Sequence, residues 1–288
     1  MNSNSTVRES WDIVIKPVHG YGWFNINIIE IFRNWYLIFL FVRRDFVIFY
    51  KQTVLGPLWY IIQPLLNTLV FTVVFGQVAK IPTDGIPPFI FYLSGTVVWG
   101  YFSFCVSQTG NTFVQHGQLF GKVYFPRITV PISIAITAVF QFIIQFLIFL
   151  GFFLYFKFSG STLQPNIYVL TVPLIILHMA ILSVGIGLII SGATAKYRDL
   201  RIALGFIIQL WMYLTPIVYP LSEVPERFRL IILLNPMTAV VESFRGAFFG
   251  VSSLSQIDLL ISIFMSIILF IIGLVIFTRV EKTFVDTV

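Results

Sequence analysis

Arg43, Arg44 and Lys51 put three cations within nine residues, with Tyr50 beside the last of them, in the stretch RRDFVIFYKQTVLGPLWYIIQP at residues 43–64. Basic and aromatic side chains at this density suit the junction between a lipid headgroup layer and a membrane-spanning helix. The Gly56-Pro57 break fits that place. Proline can occupy a first helical turn without losing a needed hydrogen bond, and Trp59 and Tyr60 suit the interface that follows.

Other residue types that could do chemistry are sparse. GQLFGKV at 117–123 comes close to a phosphate-binding loop, but only three residues separate its glycines and Val123 follows the lysine. That loop needs four residues between the glycines and Ser or Thr after Lys, so the chain carries no nucleotide site of this kind. His19, His116 and His178 are far apart in sequence and have no neighbouring carboxylate or thiol, and Cys105 is the single cysteine. Metal and nucleophilic chemistry are disfavoured, as is a disulfide framework. His178 falls near the middle of an apolar run, where an ionisable group is a functional candidate. No Asp or Glu lies in the charge-free runs to relay a proton, so a neutral histidine bonded between helices is expected, and ion-coupled transport is disfavoured.

The elements that must hold these residues follow from composition. The 288 residues are 58% hydrophobic and 10% charged, with mean hydropathy +0.92. Soluble domains carry roughly 25% charged residues. The charge-free runs are 52–79, 85–121, 128–156, 158–195, 202–222 and 259–278, and each can hold a helix across a hydrocarbon core of about 30 Å. The expected fold is an all-α membrane protein with spans at 57–79, 89–107, 130–156, 166–192, 202–219 and 257–277. No cleavable signal peptide is visible at the polar start, so the N-terminus is expected in the cytoplasm. With that orientation, thirteen of the eighteen Lys and Arg lie on the inner side, as the positive-inside rule favours.

Within this frame, 26–34 reads as an amphipathic helix at the membrane surface, and Trp35–Val42 as an apolar continuation too short to span. It is either an anchor or a gate. Gln63 and Asn67, and again Gln141 and Gln145, are four apart and share helix faces, pointing to a neighbouring helix or a wet path. Trp99 and Tyr101 belong to an aromatic-rich span, and either fill helix contacts or line a channel. Ser183, Gly187 and Ser191 form a stripe that lets helices approach closely. A polar inner segment, Gln108–Arg127, contains Gln115, His116, Lys122, Tyr124 and Arg127. The connection 216–250 holds two short apolar pieces led by Pro225 and Pro236, with Asn235 as an N-cap. It reads as an outer-side re-entrant hairpin or a surface loop.

Taken together and in order, RRDFVIFYKQTVLGPLWYIIQP, KVYFPR (122–127), AKYRDLR (195–201), and VPERFRLIILLNPM followed by ESFRGAFFG resemble the permease subunit of ABC-2 type polysaccharide exporters. The lead IKPVHGYGWFNINIIEIFRNW is most similar to the lipopolysaccharide O-antigen branch. The resemblance implies a transport permease rather than an enzyme: a homodimer working with two copies of a separate ABC ATPase. ATP and Mg would sit on that partner, and this chain would hold no cofactor and bind no nucleic acid. It implies a bacterial inner-membrane protein with both termini cytoplasmic, residues 1–56 as lead and gate helix and 57–288 as the transmembrane domain. The substrate would be a polysaccharide on a polyprenyl diphosphate, moved from cytoplasm to periplasm. By the same resemblance, Arg43, Arg44, Tyr50 and Lys51 would meet the lipid diphosphate. Gln115, His116, Lys122, Tyr124 and Arg127 would couple to the ATPase, and Pro225, Arg229, Asn235, Pro236, Glu242 and Arg245 would belong to the outer gate hairpin. Gln63, Asn67, Trp99, Tyr101, Gln141 and Gln145 would be candidates for the channel lining. The alternatives are a permease for capsule, teichoic acid or a small lipophile, and an ATP-independent carrier.

Overall fold

A computed structural model describes residues 33–51, 55–120, 125–161, 163–197 and 199–285. The surface helix expected from residue 26 lies mostly outside them. What is described is α1, Trp35–Lys51, seventeen residues long. The eight-residue apolar piece expected at 35–42 is therefore not a separate unit, because the helix runs on through the charges. Arg44 makes this tolerable: its Nη2 lies 2.8 Å from the Asp45 carboxylate and its guanidinium stacks 4.9 Å from the ring centroid of Phe41, one turn back. At about 1.5 Å per residue, α1 is roughly 25 Å long. Trp35, Tyr36 and Phe39 face outward, whereas Phe41 and Val42 are buried, on the side that packs along α5 (below).

Among the described residues, five helices are long and apolar enough to cross a membrane. Helix α2, Trp59–Phe71, continues through a π-helical turn, Thr72–Val78, to make one twenty-residue span. Pro64 sits inside it without breaking it, and its carbonyl also accepts from Thr68 Oγ1 at 2.7 Å. Then come α3, Pro88–Gly110, the short α4, Thr112–Phe120, and α5, Thr129–Phe158. A 3-10 turn at Ile167–Thr171 leads into α6, Val172–Lys196, and α10, Gln256–Val285, ends the described chain. These positions agree with the expected spans one, two, three, four and six.

The fifth span differs. The expected 202–219 is α7, Leu200–Leu214, fifteen residues. Thr215 adopts extended backbone and Pro216 follows, as the restriction on a residue before proline requires. Helix α7 is about 22 Å long, short of a full crossing. Beyond it come α8, Glu226–Leu233, and α9, Pro236–Phe249, which meet at 97°.

Helix α3 is the centre of the protomer, packed among α2, α5 and α6. Its one-turn-spaced residues Tyr101, Cys105 and Thr109 are all buried. The stripe Ser183, Gly187 and Ser191 of α6 is buried as well. A Cβ on Gly187 would lie 2.5 Å from Thr109 Cβ of α3, and one on Gly185 would lie 2.7 Å from the Phe270 backbone of α10. Two helices therefore approach α6 through its glycines on opposite sides, the contact that small residues permit between spans.

Candidate functional site

One end of the candidate site is built on α1. Residues seven apart on a helix share a face, so Arg44 aligns with Lys51, while the side chain of Tyr50 lies outside what is described. Arg43 and Lys51 are exposed, whereas Arg44 is half-buried against Asp45. Among the described residues, the α1 surface thus offers two exposed cations and a third that shares its charge with a neighbouring carboxylate. An incoming phosphate oxygen would compete with Asp45 for that guanidinium.

Helix α4 brings a second predicted group to the same place. His116 is half-buried, and burial pushes its imidazole below the usual histidine range. The nearby Arg44 adds to the effect and Asp45 opposes it. Residues 72 positions apart in sequence thereby share one electrostatic environment. Gln115 is exposed on α4, while Lys122 and Tyr124 lie outside the described residues. Arg127 turns inward: it is buried, its Nη1 donates to the Glu281 backbone carbonyl at 2.6 Å, and its Nε lies 3.9 Å from the Glu281 carboxylate. Gly117, the first glycine of the loop-like GQLFGKV, lies inside α4, so that stretch does not begin as a phosphate loop.

The hairpin of α8 and α9 is organised around Asn235 and Arg245. Asn235 Oδ1 accepts from the Met237 backbone N–H at 3.1 Å, capping α9, and from Trp211 Nε1 of α7 at 3.1 Å. Its Nδ2 donates to Thr215 Oγ1 at 2.9 Å. One amide therefore fixes the end of α7 and the start of α9. Pro236 is the first residue of α9, as expected of proline at that position. Arg245 is buried with Glu242, 3.6 Å away. It donates to the carbonyls of Pro216 at 2.5 Å and Ile217 at 2.9 Å and to Ser94 Oγ at 3.3 Å, and lies 3.7 Å over the Phe91 ring. Pro225 precedes α8 and is exposed, and Arg229 reaches the Ser253 carbonyl at 3.2 Å.

The six residues considered for a lining are not brought together. Gln63 and Asn67 are exposed on α2. Trp99 and Tyr101 are buried in the protomer, with the Tyr101 hydroxyl donating to the Ala135 carbonyl at 3.3 Å. Gln145 is buried against Gly100 of α3, and Gln141 is half-buried. His178 has the interhelical partners its depth called for: Nε2 lies 3.0 Å from Ser266 Oγ and 3.3 Å from Ser262 Oγ on α10. Both hydroxyls donate to backbone carbonyls, Ser266 to Ser262 and Ser262 to Pro236. Reading 259–278 only as an apolar run missed this cluster, although two serines four apart in a span were a visible signal. Among the described residues no group of His, Cys, Asp and Glu could hold a metal ion.

The sequence matches the family described as ABC-2 type transporter over residues 36–249, from α1 to the end of α9. It is 28% identical over 251 residues to the O-antigen export system permease protein RfbA of Klebsiella pneumoniae, covering 87% of this chain and 94% of that protein. It is 26% identical over 225 residues to the protein of the same name from Myxococcus xanthus, covering 76% and 83%. The polysialic acid transport protein KpsM of Escherichia coli is 26% identical over 196 residues, covering 67% and 73%.

Proposed function

Since this chain belongs to the ABC-2 type transporter family, we propose that it is the membrane-spanning subunit of an ATP-driven exporter of lipid-linked polysaccharide. The cargo is an O-antigen-type chain on a polyprenyl diphosphate, moved from cytoplasm to periplasm across a bacterial inner membrane. Its multi-pass helices and relatives named for O-antigen export and polysialic acid transport support this reading. The subunit works as a homodimer with two copies of an ABC ATPase, which holds ATP and Mg. Residues 1–56 form the cytoplasmic lead and interfacial gate helix, and 57–288 the transmembrane domain, with both termini in the cytoplasm.

The observation that carries the mechanism is the link between α1 and α4 through Phe125, whose ring lies 5.6 Å from Phe41 and 5.8 Å from Phe120. Arg43, Arg44, Tyr50 and Lys51 receive the lipid diphosphate by charge-assisted bonds. Helix α4 and the residues that follow it, through Arg127, transmit the state of the ATPase, and the Arg44 charge is felt at His116. At the outer side the hairpin of α8 and α9 closes the exit. Of the lining candidates, Gln63 and Asn67 remain on an outward face and are the ones assigned to the path between two copies.

The test is co-purification in mild detergent with the ABC ATPase of the same export locus, with ATPase activity measured for wild type and Lys122→Glu. A stable complex whose assembly or activity falls in the variant is the expected result. A folded, dimeric permease that binds no ATPase overturns the proposal.

A further inference from the structure

Between the basic face of α1 and helix α4 lies a row of three buried rings. Phe41 of α1 is 5.6 Å from Phe125, and Phe125 is 5.8 Å from Phe120 at the end of α4. A cation stands at each end of the row, with Arg44 4.9 Å from the Phe41 centroid and Arg127 5.3 Å from that of Phe120. Arg127 is in turn fastened to the last turns of α10 through Glu281. Phe113 of α4 adds a second tie to α10, stacked 4.8 Å from Phe277.

We propose that Phe125 is the joint through which displacement of α4 reaches Arg44, with the Arg127–Glu281 contact as its fixed end. This rests on the reading that α4 faces the ATPase and that α1 meets the diphosphate. Packed rings do not compress, so a shift of Phe120 either pushes Phe125 or opens a void beside it. Phe125 stands in the same relation to Phe41, whose ring carries the Arg44 guanidinium. A shift of Phe41 therefore changes how Arg44 divides itself between Asp45, 2.8 Å away, and an arriving phosphate. Phe125 touches neither partner, so it acts as a positioning residue.

Spatial continuity alone does not establish coupling, so the test measures coupling itself. The permease–ATPase complex is placed in lipid nanodiscs. Binding of a short polyprenyl diphosphate carrying no sugar is measured without nucleotide and with a non-hydrolysable ATP analogue. Coupled sites typically change each other's affinity by about five-fold or more. Wild type is expected to show such a ratio. Phe125→Ala is expected to reduce it to below about two-fold, with nucleotide-free affinity changed by less than about two-fold. Phe125→Leu, which keeps most of the bulk but not the ring, serves where the alanine variant does not assemble. Arg43→Gln with Arg44→Gln is expected to weaken binding in both nucleotide states. If the wild-type ratio is large and survives in the Phe125 variants, the joint is overturned while the diphosphate site stands. A wild-type ratio near one also overturns the joint. If wild type binds no polyprenyl diphosphate, or binds it regardless of Arg43 and Arg44, the site reading fails and the joint with it.

Discussion

Helices α8 and α9 flank one bend and share a sequence signature, proline first and apolar residues after, yet they are built to opposite rules. Twelve of the fourteen residues of α9 are buried, and none of the eight in α8 is. Helix α9 inserts Phe244 and Phe248 against Phe149 of α5, with ring centroids 5.2 and 5.0 Å apart, and locks Arg245 into carbonyls of the turn after α7. Helix α8 shows Phe228, Leu230 and Ile231 on its surface and is held by its ends and by Arg229. Of the two halves of the hairpin, α9 is scaffold and α8 is the part with little to lose by moving. Local opening is confined to elements with few buried contacts, so under the proposed function the gate movement would fall to α8.

The comparison breaks most directly at Arg245. Arg245→Ala leaves Glu242 buried without its cation and the carbonyls of Pro216 and Ile217 without their donor. Removing one partner of a buried ion pair costs on the order of 3–5 kcal/mol. The expected outcome is a large fall in thermal unfolding temperature of the purified permease, or no folded protein at all. Glu242→Gln is expected to be far milder, because Arg245 keeps its carbonyl acceptors. Similar losses from the two variants would show that the acid, and not the arginine's grip on the turn, holds α9.

Next in size is Phe149→Ala. In water such a truncation costs about 3–5 kcal/mol. Lipid tails are as apolar as the core, so in a bilayer much of the transfer part falls away, leaving packing and cavity terms of about 2 kcal/mol. Destabilisation in detergent unfolding without loss of ATPase binding is expected, since Phe149 packs against α9, twenty residues along α5 from Thr129. Asn235→Ala should lose about 1 kcal/mol through its cap. It should also let the bend vary, because Asn235 ties Trp211 and Thr215 to the start of α9. Distances between spin labels on α7 and α8 would broaden.

Much of the scaffold was legible in the sequence because bilayer length imposes it. Charge-free runs marked five spans closely, and Asn235-Pro236 announced the α9 cap. The rest depended on contacts between distant residues. Glu242 and Arg245 are three apart, a spacing that on a surface helix would be an ordinary exposed pair; only α3 and the turn after α7 make it interior. The 202–222 run hid the early end of α7, because absence of charge says nothing about where Thr215-Pro216 stops a helix. The charges Arg43–Asp45 looked like a helix boundary, and the ring of Phe41 with the Asp45 carboxylate let α1 continue. The row that joins Phe41 to Phe120 through Phe125 has no local signal at all.

The smallest expected effect is the one that sharpens the comparison. Leu230 is 70% exposed in the protomer, and replacing it by serine removes almost no buried contact. Surface substitutions of this kind stay within about 0.5 kcal/mol, so the unfolding temperature of Leu230→Ser should match wild type within error. If α8 is the moving part, its environment must differ between gate states. Leu230→Cys labelled by a thiol reagent should then react at a rate that depends on the nucleotide bound to the partner ATPase. A cysteine at Ala247 on α9, buried in the Phe-rich contact, should stay unreactive in every state. The buried native Cys105 gives the background. Nucleotide-dependent labelling at Ala247→Cys with constant labelling at Leu230→Cys would reverse the assignment. Helix α9 would then be the gate, and its dense packing would be a feature of the closed state alone.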